Sequence, residues 1–220
     1  MGIEPPLSGR RTVVFFRAQG ISPLRFTRRR FSILRYRRSE SSGSATLLPQ
    51  PVRNSMNNSK TTALFSAVVE APFGAIGIRT EAGALRELVY LPPSFDARAP
   101  ADPLAEKAAR QLERYFVEPD FRFDLPLLPA GTAFQRRVWD VIAAIPRGDV
   151  LTYGEVARII QSAPRAVGQA CGRNWFPLVI PCHRVVASGG LGGFALHDDE
   201  TGFHLGVKRW LLTHEGVEGY

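Results

Sequence analysis

Cys182 and His183 stand side by side in Pro181-Cys182-His183-Arg184, directly after the apolar run Leu178-Val179-Ile180. A thiol is a strong nucleophile only once it has lost its proton, and a nearby base or positive charge can bring that about. Taken alone, a Cys-His pair reads more simply as a buried structural cysteine beside a histidine, because free cysteines are mostly buried. The other cysteine, Cys171, lies eleven positions upstream, so there is no CxxC pair and no disulfide framework, and a reducing compartment is the natural home. His183, His197, His204 and His214 fall in no HxxxH or Cys/His cluster with zinc-ligand spacing. No metal, nucleotide or redox cofactor is expected.

The elements that must position this pair begin well inside the chain. At 220 residues and 45% hydrophobic content there is room for one large domain or two small ones. No stretch approaches the roughly 18 apolar residues needed to span a bilayer, so no membrane partner is expected. The formal net charge of +8 is unevenly placed. Residues 1–55 hold eleven arginines and no lysine against Glu4 and Glu40, while the remainder carries seventeen basic and eighteen acidic side chains. A body so balanced must bind DNA, if it does, through a local patch and shape, not a global field.

The segment 1–55, with Arg28-Arg29-Arg30 and the serines between Ser39 and Ser44, shows no sustained period. It fits an organelle transit peptide, a disordered nucleic-acid arm, or an extension upstream of a working start at Met56. The last is favoured because the folded pattern begins just beyond Met56; the expected location is then cytoplasmic, nucleoid-associated in a prokaryote.

Residues 62–130 read as a small α+β domain. Phe65 to Val69, Ala75 to Arg79 and Leu85 to Leu91 are short runs divided by Gly and Pro turns, an antiparallel meander. A helix from about Pro103 to Phe116 shows Leu104, Ala108, Leu112 and Tyr115 on one face, and Phe121 to Leu125 alternates like another strand.

Residues 131–220 form the second unit. Thr132 is a candidate N-cap for a helix whose stripe runs through Phe134, Val138, Val141, Ile142 and Ile145 to Pro146. Thr152 and Glu155 match a capping box at the start of a helix that runs to about Ile160. After a short turn, Pro164 introduces a second helix, Arg165 to about Cys171, stopped by Gly172. This pair is a helix-turn-helix or an ordinary helical hairpin. Ala166, Gly168, Ala170 and Gly172 leave the second helix nearly smooth, and glycine inside a helix costs about 0.5–1 kcal/mol relative to alanine. Close approach of another surface would offset that cost, either within the protein or in a DNA groove.

Arg165-Ala166-Val167-Gly168, Asn174, the run Pro177 to Val186 containing Pro181-Cys182-His183-Arg184-Val185, and His214-Glu215-Gly216 together resemble the O6-alkylguanine-DNA alkyltransferases. Tyr153-Gly154-Glu155-Val156-Ala157 and Lys208-Arg209-Trp210-Leu211-Leu212 fit the same family. The resemblance is strong over about 132–216 and weaker over 63–130.

It implies a mixed, ribonuclease H-like N-terminal sheet domain followed by a winged helix-turn-helix-like C-terminal domain. Its partner would be double-stranded DNA containing alkylated guanine, bound by a monomer with the smooth helix in the minor groove and the damaged base flipped out. By the same match Cys182 accepts the alkyl group, His183 activates it through a water, and Glu215 orients the imidazole. Asn174 would tie the turn that presents Cys182, and Tyr153 would donate to the departing guanine. Arg165 would fill the vacated space, with Ala166 and Gly168 against the groove. Pro177 would wall the pocket, Val185 would offer its carbonyl, and Phe194 and Ala195 would lie at the rim. A thioether sulfur is no longer a usable nucleophile, so the protein would act once; O4-alkylthymine is a second candidate substrate.

The chain departs from the family in three places. Trp175 stands where proline is usual, which puts the geometry of the Asn174 turn in doubt. The spacing from Tyr153 to Arg165 is about two residues short. Ala195 to His204, with Asp198-Asp199-Glu200, looks like an insertion, and its acidity predicts that it points away from DNA. Two other functions compete: a non-catalytic binder of alkylated DNA, disfavoured by the presence of Cys182, and a Cys-His hydrolase, which would turn over.

Overall fold

Turn chemistry shapes the first half of the protein, whose computed structural model describes residues 64–220. The Arg-rich segment 1–55 and Met56, with the expectations attached to them, lie outside the described residues. Strands β1 (Ala67–Ala71), β2 (Gly74–Glu81) and β3 (Ala84–Leu91) form the antiparallel meander read from the sequence. The β2–β3 reversal is a two-residue turn at Ala82 and Gly83, with φ of 50° and 74°, the left-handed geometry that tight hairpins require. Gly74 is obligatory for a steric reason: a Cβ there would lie 2.5 Å from the Leu91 carbonyl oxygen.

Helix α1 (Pro103–Val117) starts where Asp102 accepts from the amides of Leu104 and Ala105, with Pro103 occupying the first turn. It buries Ala105, Ala108, Leu112 and Tyr115 toward the sheet. The strand expected over Phe121 to Leu125 does not form. The Gln111 side chain takes both backbone groups of Asp124, its Nε2 donating to the carbonyl at 3.1 Å and its Oε1 accepting from the amide at 2.9 Å, which leaves nothing there for a ladder. The pairing falls later, where Leu127 bridges Leu85 in parallel. The alternation of Phe121 and Phe123 comes from ring packing instead, with Phe123 against Tyr115 at 5.5 Å and Phe121 against Phe123 at 5.6 Å.

In the second half, α2 (Ala133–Ala143) carries a capping box between Thr132 and Gln135. It ends at Ala143, two residues short of Ile145, which packs in the core from the loop before Pro146. Helices α3 (Tyr153–Ile160) and α4 (Pro164–Gly172) are joined by the three-residue turn Gln161 to Ala163, and Thr152 and Glu155 cap α3 reciprocally. Two short strands not foreseen from sequence, β4 (Leu151–Thr152) and β5 (Val185–Val186), pair in parallel. That pairing sets the start of α3 beside the Cys182 turn. Helix α5 (Phe203–His214) closes the chain. The main apolar core, including Ile76, Leu112, Ile142, Val156 and Leu211, runs through both halves beside a smaller cluster of Phe65, Val68, Ala75 and Leu91, and the Trp139 indole donates to the Ala170 carbonyl at 3.0 Å to tie α2 to α4. No helix among the described residues is long and apolar enough to cross a membrane.

Candidate active site

Cys182 to Arg184 form a single 3-10 turn leading into β5. The chain reaches it through a reversal at Leu178, whose φ of 74° is unusual for leucine and costs of order 1–3 kcal/mol. Asn174 holds that reversal from inside. Its Nδ2 donates to the Ile180 carbonyl at 2.7 Å and its Oδ1 accepts from the Phe176 amide at 3.0 Å. The turn is therefore formed despite Trp175, whose indole is 41% exposed and whose carbonyl accepts from the Leu88 amide at 2.9 Å, docking the loop on β3.

Cys182 is 5% exposed. Burial pushes its thiol up from the ordinary range, while a hydrogen bond from Asn174 and the positive charge of Lys208 work in the other direction. Asn174 and Lys208 thus favour the thiolate alongside the neighbouring imidazole that the sequence marks as the activating base. The sulfur at rest is a thiol, and its proton must leave as the reaction proceeds.

His183 is fully buried. Its Nε2 lies 3.1 Å from Glu215 Oε1, close enough for a strong electrostatic contact but out of line for a full hydrogen bond, and Nδ1 meets no protein partner among the described residues. Burial lowers its pKa against the pull of the Glu215 carboxylate, so the ring is neutral and able to accept a proton. Burial alone would raise the Glu215 carboxyl, but the contact with His183 and the hydrogen bonds and charge of Arg184 outweigh it and hold the group well below the usual carboxylate range. Arg184 supplies two of those bonds, Nε to Oε2 at 2.7 Å and Nη2 to Oε1 at 2.8 Å, and the Tyr115 hydroxyl donates to Oε1 at 2.8 Å.

Three residues around this centre had been given no part from sequence: Lys208, Arg184 and Tyr115. Lys208 is fully buried and, among the described residues, has no carboxylate partner. Its ammonium donates to the carbonyls of Val185 at 2.7 Å, Leu191 at 2.7 Å and Gly193 at 3.1 Å, and burial lowers its pKa to about 8. A signal was present, since Lys208 sits on the apolar stripe of α5 between Leu205 and Leu211, where a lysine needs a reason. Nothing local marks Tyr115, which arrives from a helix a hundred residues away.

A cleft of about 350 Å³ opens onto Cys182 between α4 and the segment that follows Gly193. Of the expected residues, Tyr153, Arg165, Gly168, Phe194 and Ala195 line it with Cys182. Ala166, Pro177 and Val185 do not, and the Val185 carbonyl is already engaged by Lys208. His183, Glu215 and Asn174 are also absent from the lining. The Tyr153 hydroxyl donates to the Gly193 carbonyl at 2.9 Å, and burial raises its pKa, keeping it a proton donor. The two glycines of α4 differ in role. A Cβ on Gly172 would meet Leu196 Cδ2 at 2.3 Å, which is internal packing, whereas one on Gly168 would find only the Tyr153 ring edge at 3.9 Å and faces the cleft. After Phe194, the residues Ala195, Leu196, His197 and Asp198 form a wall of the cleft. The acidic residues beyond are partly absorbed locally, Asp199 accepting from the Thr201 amide at 3.1 Å and hydroxyl at 3.0 Å. Among the described residues no group of three or more His, Cys, Asp or Glu side chains is placed to hold a metal.

What such a cleft can do is nucleophilic attack through a cysteine thiol with an imidazole and carboxylate behind it, the chemistry of cysteine-dependent transferases and hydrolases. Residues 133–217 match the family described as "6-O-methylguanine DNA methyltransferase, DNA binding domain". The chain is 36% identical over 161 residues to the methylated-DNA–protein-cysteine methyltransferase of Methanosarcina acetivorans, covering 70% of this chain and 99% of that one. It is 41% identical to the Methanosarcina barkeri protein of the same name, covering 69% and 97%. In structure it resembles the Mycobacterium tuberculosis O6-methylguanine methyltransferase, with a TM-score of 0.57 and 31% identity over 70% of this chain and 93% of that one. A Mycobacterium tuberculosis OGT in complex with DNA matches with a TM-score of 0.56 and 34% identity over 67% and 90%. The chain belongs to the O6-methylguanine DNA methyltransferase family.

Proposed function

We propose that this chain is a methylated-DNA–protein-cysteine methyltransferase that repairs double-stranded DNA by moving a methyl or larger alkyl group from O6 of guanine to its own Cys182. The observation that carries this reading is the position of Cys182 on a cleft that is also lined by the smooth, Arg165-bearing helix α4. The helix pair α3–α4 is read as a helix-turn-helix within a winged C-terminal domain from residue 131, behind a ribonuclease H-like domain over 62–130. The protein acts as a monomer in the cytoplasm.

In this reading Gly168 and Ala166 let the α4 backbone approach the minor groove, and Arg165 fills the space left when the alkylated base turns out into the cleft. His183, neutral at rest, takes the Cys182 proton through an intervening water, while Glu215 steadies the imidazolium. The sulfur then attacks the alkyl carbon, a carbon–sulfur bond forms, and the bond from carbon to O6 breaks. The electron pair goes to the guanine, and Tyr153 gives it a hydrogen bond or proton as it leaves. Lys208, against the carbonyls around the turn, stabilises the negative charge on sulfur before transfer. The thioether cannot be reversed by any group in the cleft, so each molecule reacts once.

Titrating a fixed amount of protein with duplex carrying O6-methylguanine tests this. Lesions should disappear one for one with protein and then stop. Continued removal beyond equivalence would favour a turning-over hydrolase, and tight binding without removal would favour a non-catalytic damage binder.

A further inference from the structure

We infer that Leu196 is a second DNA-contacting residue, packing its side chain against the base or sugar edge of a nucleotide beside the flipped guanine, across the cleft from Arg165. This rests on the repair function proposed above and adds to it a positioning contact made by the insertion.

Leu196 occupies the second position of a two-residue turn closed by reciprocal backbone hydrogen bonds between Phe194 and His197, both 2.8 Å. Ala195 and Leu196 have φ of 51° and 65°. Such turns favour asparagine, aspartate and glycine, because both central residues are left-handed. Placing Ala-Leu there gives up backbone stability, and strain of this kind concentrates at ligand clamps. It also sets a large apolar side chain 58% exposed to solvent.

The turn is braced from two sides. On one side Leu196 rests on α4 so closely that Gly172 has no room for a side chain, its would-be Cβ lying 2.3 Å from Leu196 Cδ2 and 3.1 Å from the Leu196 amide nitrogen. On the other, the His197 ring stacks on His204 of α5 with centroids 3.8 Å apart and planes 5° from parallel. The knuckle is thus fixed to the same helix that carries Arg165 and forms the facing wall of the same cleft.

The chemistry around it selects the kind of contact. Asp198 lines the cleft next to Leu196, and Asp199 and Glu200 follow, so this wall repels phosphate and cannot act as a backbone clamp. An exposed leucine on a rigid support beside a groove-entering helix instead matches the apolar wedges that proteins push between or against base steps in the minor groove. Arg165 and Leu196 would then flank the flipped nucleotide from opposite sides.

The test is single-turnover methylation of Cys182 in the full chain and in Leu196→Asn, with a lesion-bearing duplex and with the free base O6-methylguanine in large excess. Asparagine tolerates the left-handed conformation, so the variant should keep or raise its melting temperature while losing the apolar tip. The expected result is a loss of about tenfold in the rate on limiting duplex, several times larger than any loss with the free base, the size of effect one apolar contact supplies. A 2-aminopurine placed beside the lesion should brighten on binding the parent protein and brighten less with the variant. Equal loss on duplex and free base would show that Leu196 acts only through the cleft wall and overturn the proposal, as would an unchanged duplex rate. If the parent chain transfers no methyl from either substrate, the repair reading itself falls, a result distinct from either of these.

Discussion

Arg184 grips Glu215 through two parallel hydrogen bonds, at 2.7 and 2.8 Å, and the oxygen bonded by Nη2 is the one that His183 approaches at 3.1 Å. The carboxylate is therefore shared between a permanent cation and the imidazole next door to the nucleophile. Glu215 is buried, and its partners hold its pKa far down, so its contribution to stability is complete above the ordinary carboxyl range and is lost as pH falls toward its folded value. Breaking a buried pair of this kind costs about 3–5 kcal/mol. Glu215→Gln should lose stability of that order at neutral pH. Urea denaturation of the parent should show stability declining below about pH 4.5, and the variant should show a flatter profile there.

Lys208 is a buried cation satisfied by three carbonyls. Lys208→Met leaves those acceptors unpaired, at about 1–3 kcal/mol for each one that cannot reach water. It also removes a positive charge that favours the Cys182 thiolate. Rates of Cys182 methylation against pH should show the variant most impaired near neutrality. The deficit should shrink above about pH 8, where the parent lysine, its pKa lowered by burial to about 8, has itself lost its charge. Because the folded state releases that proton first, this group makes the parent more stable as pH rises from about 8 toward the ordinary lysine value.

Tyr153 presents its hydroxyl to the Gly193 carbonyl at 2.9 Å in the free protein and lines the cleft. Tyr153→Phe should cost about 0.5–1.5 kcal/mol of stability from the lost hydrogen bond. Transfer from guanine should slow by about a hundredfold, the lower end of what a positioned proton donor supplies. Alkylation of Cys182 by iodoacetamide, which needs no help for its leaving group, should be little changed. Equal effects on both reactions would remove Tyr153 from its assigned part.

Gly168 and Gly172 make a matched pair on α4. Gly168→Ala meets nothing nearer than 3.9 Å and should stabilise the helix by about 0.5–1 kcal/mol while weakening duplex binding, because the added methyl faces the cleft. Gly172→Ala collides with Leu196 at 2.3 Å and should lower the melting temperature by displacing the inserted turn. Thermal melts combined with duplex titration separate the two outcomes.

Much of this was readable in advance, for physical reasons. Capping residues with fixed offsets located Thr132 and Thr152, and Gly-marked turns located the meander, because both depend on local backbone chemistry. The reactive motif was equally legible as a local run. The strand expected at Phe121 to Leu125 failed because a distant side chain, Gln111, claimed its backbone, and alternation cannot distinguish ring packing from a ladder. The course of the segment after Phe194 was not legible, since the turn at Ala195 and Leu196 and its seat on Gly172 decide it. The parallel β4–β5 pair, two residues long on each side, is set entirely by tertiary contact.

The most direct test is the mass of the peptide containing Cys182 after the protein has met an equal amount of duplex bearing O6-methylguanine. The account requires a single added methyl on Cys182 in step with loss of the lesion, with Cys171 unmodified and no transfer by Cys182→Ala. Lesions that vanish while Cys182 is recovered unmodified, or that vanish in the alanine variant, would contradict it.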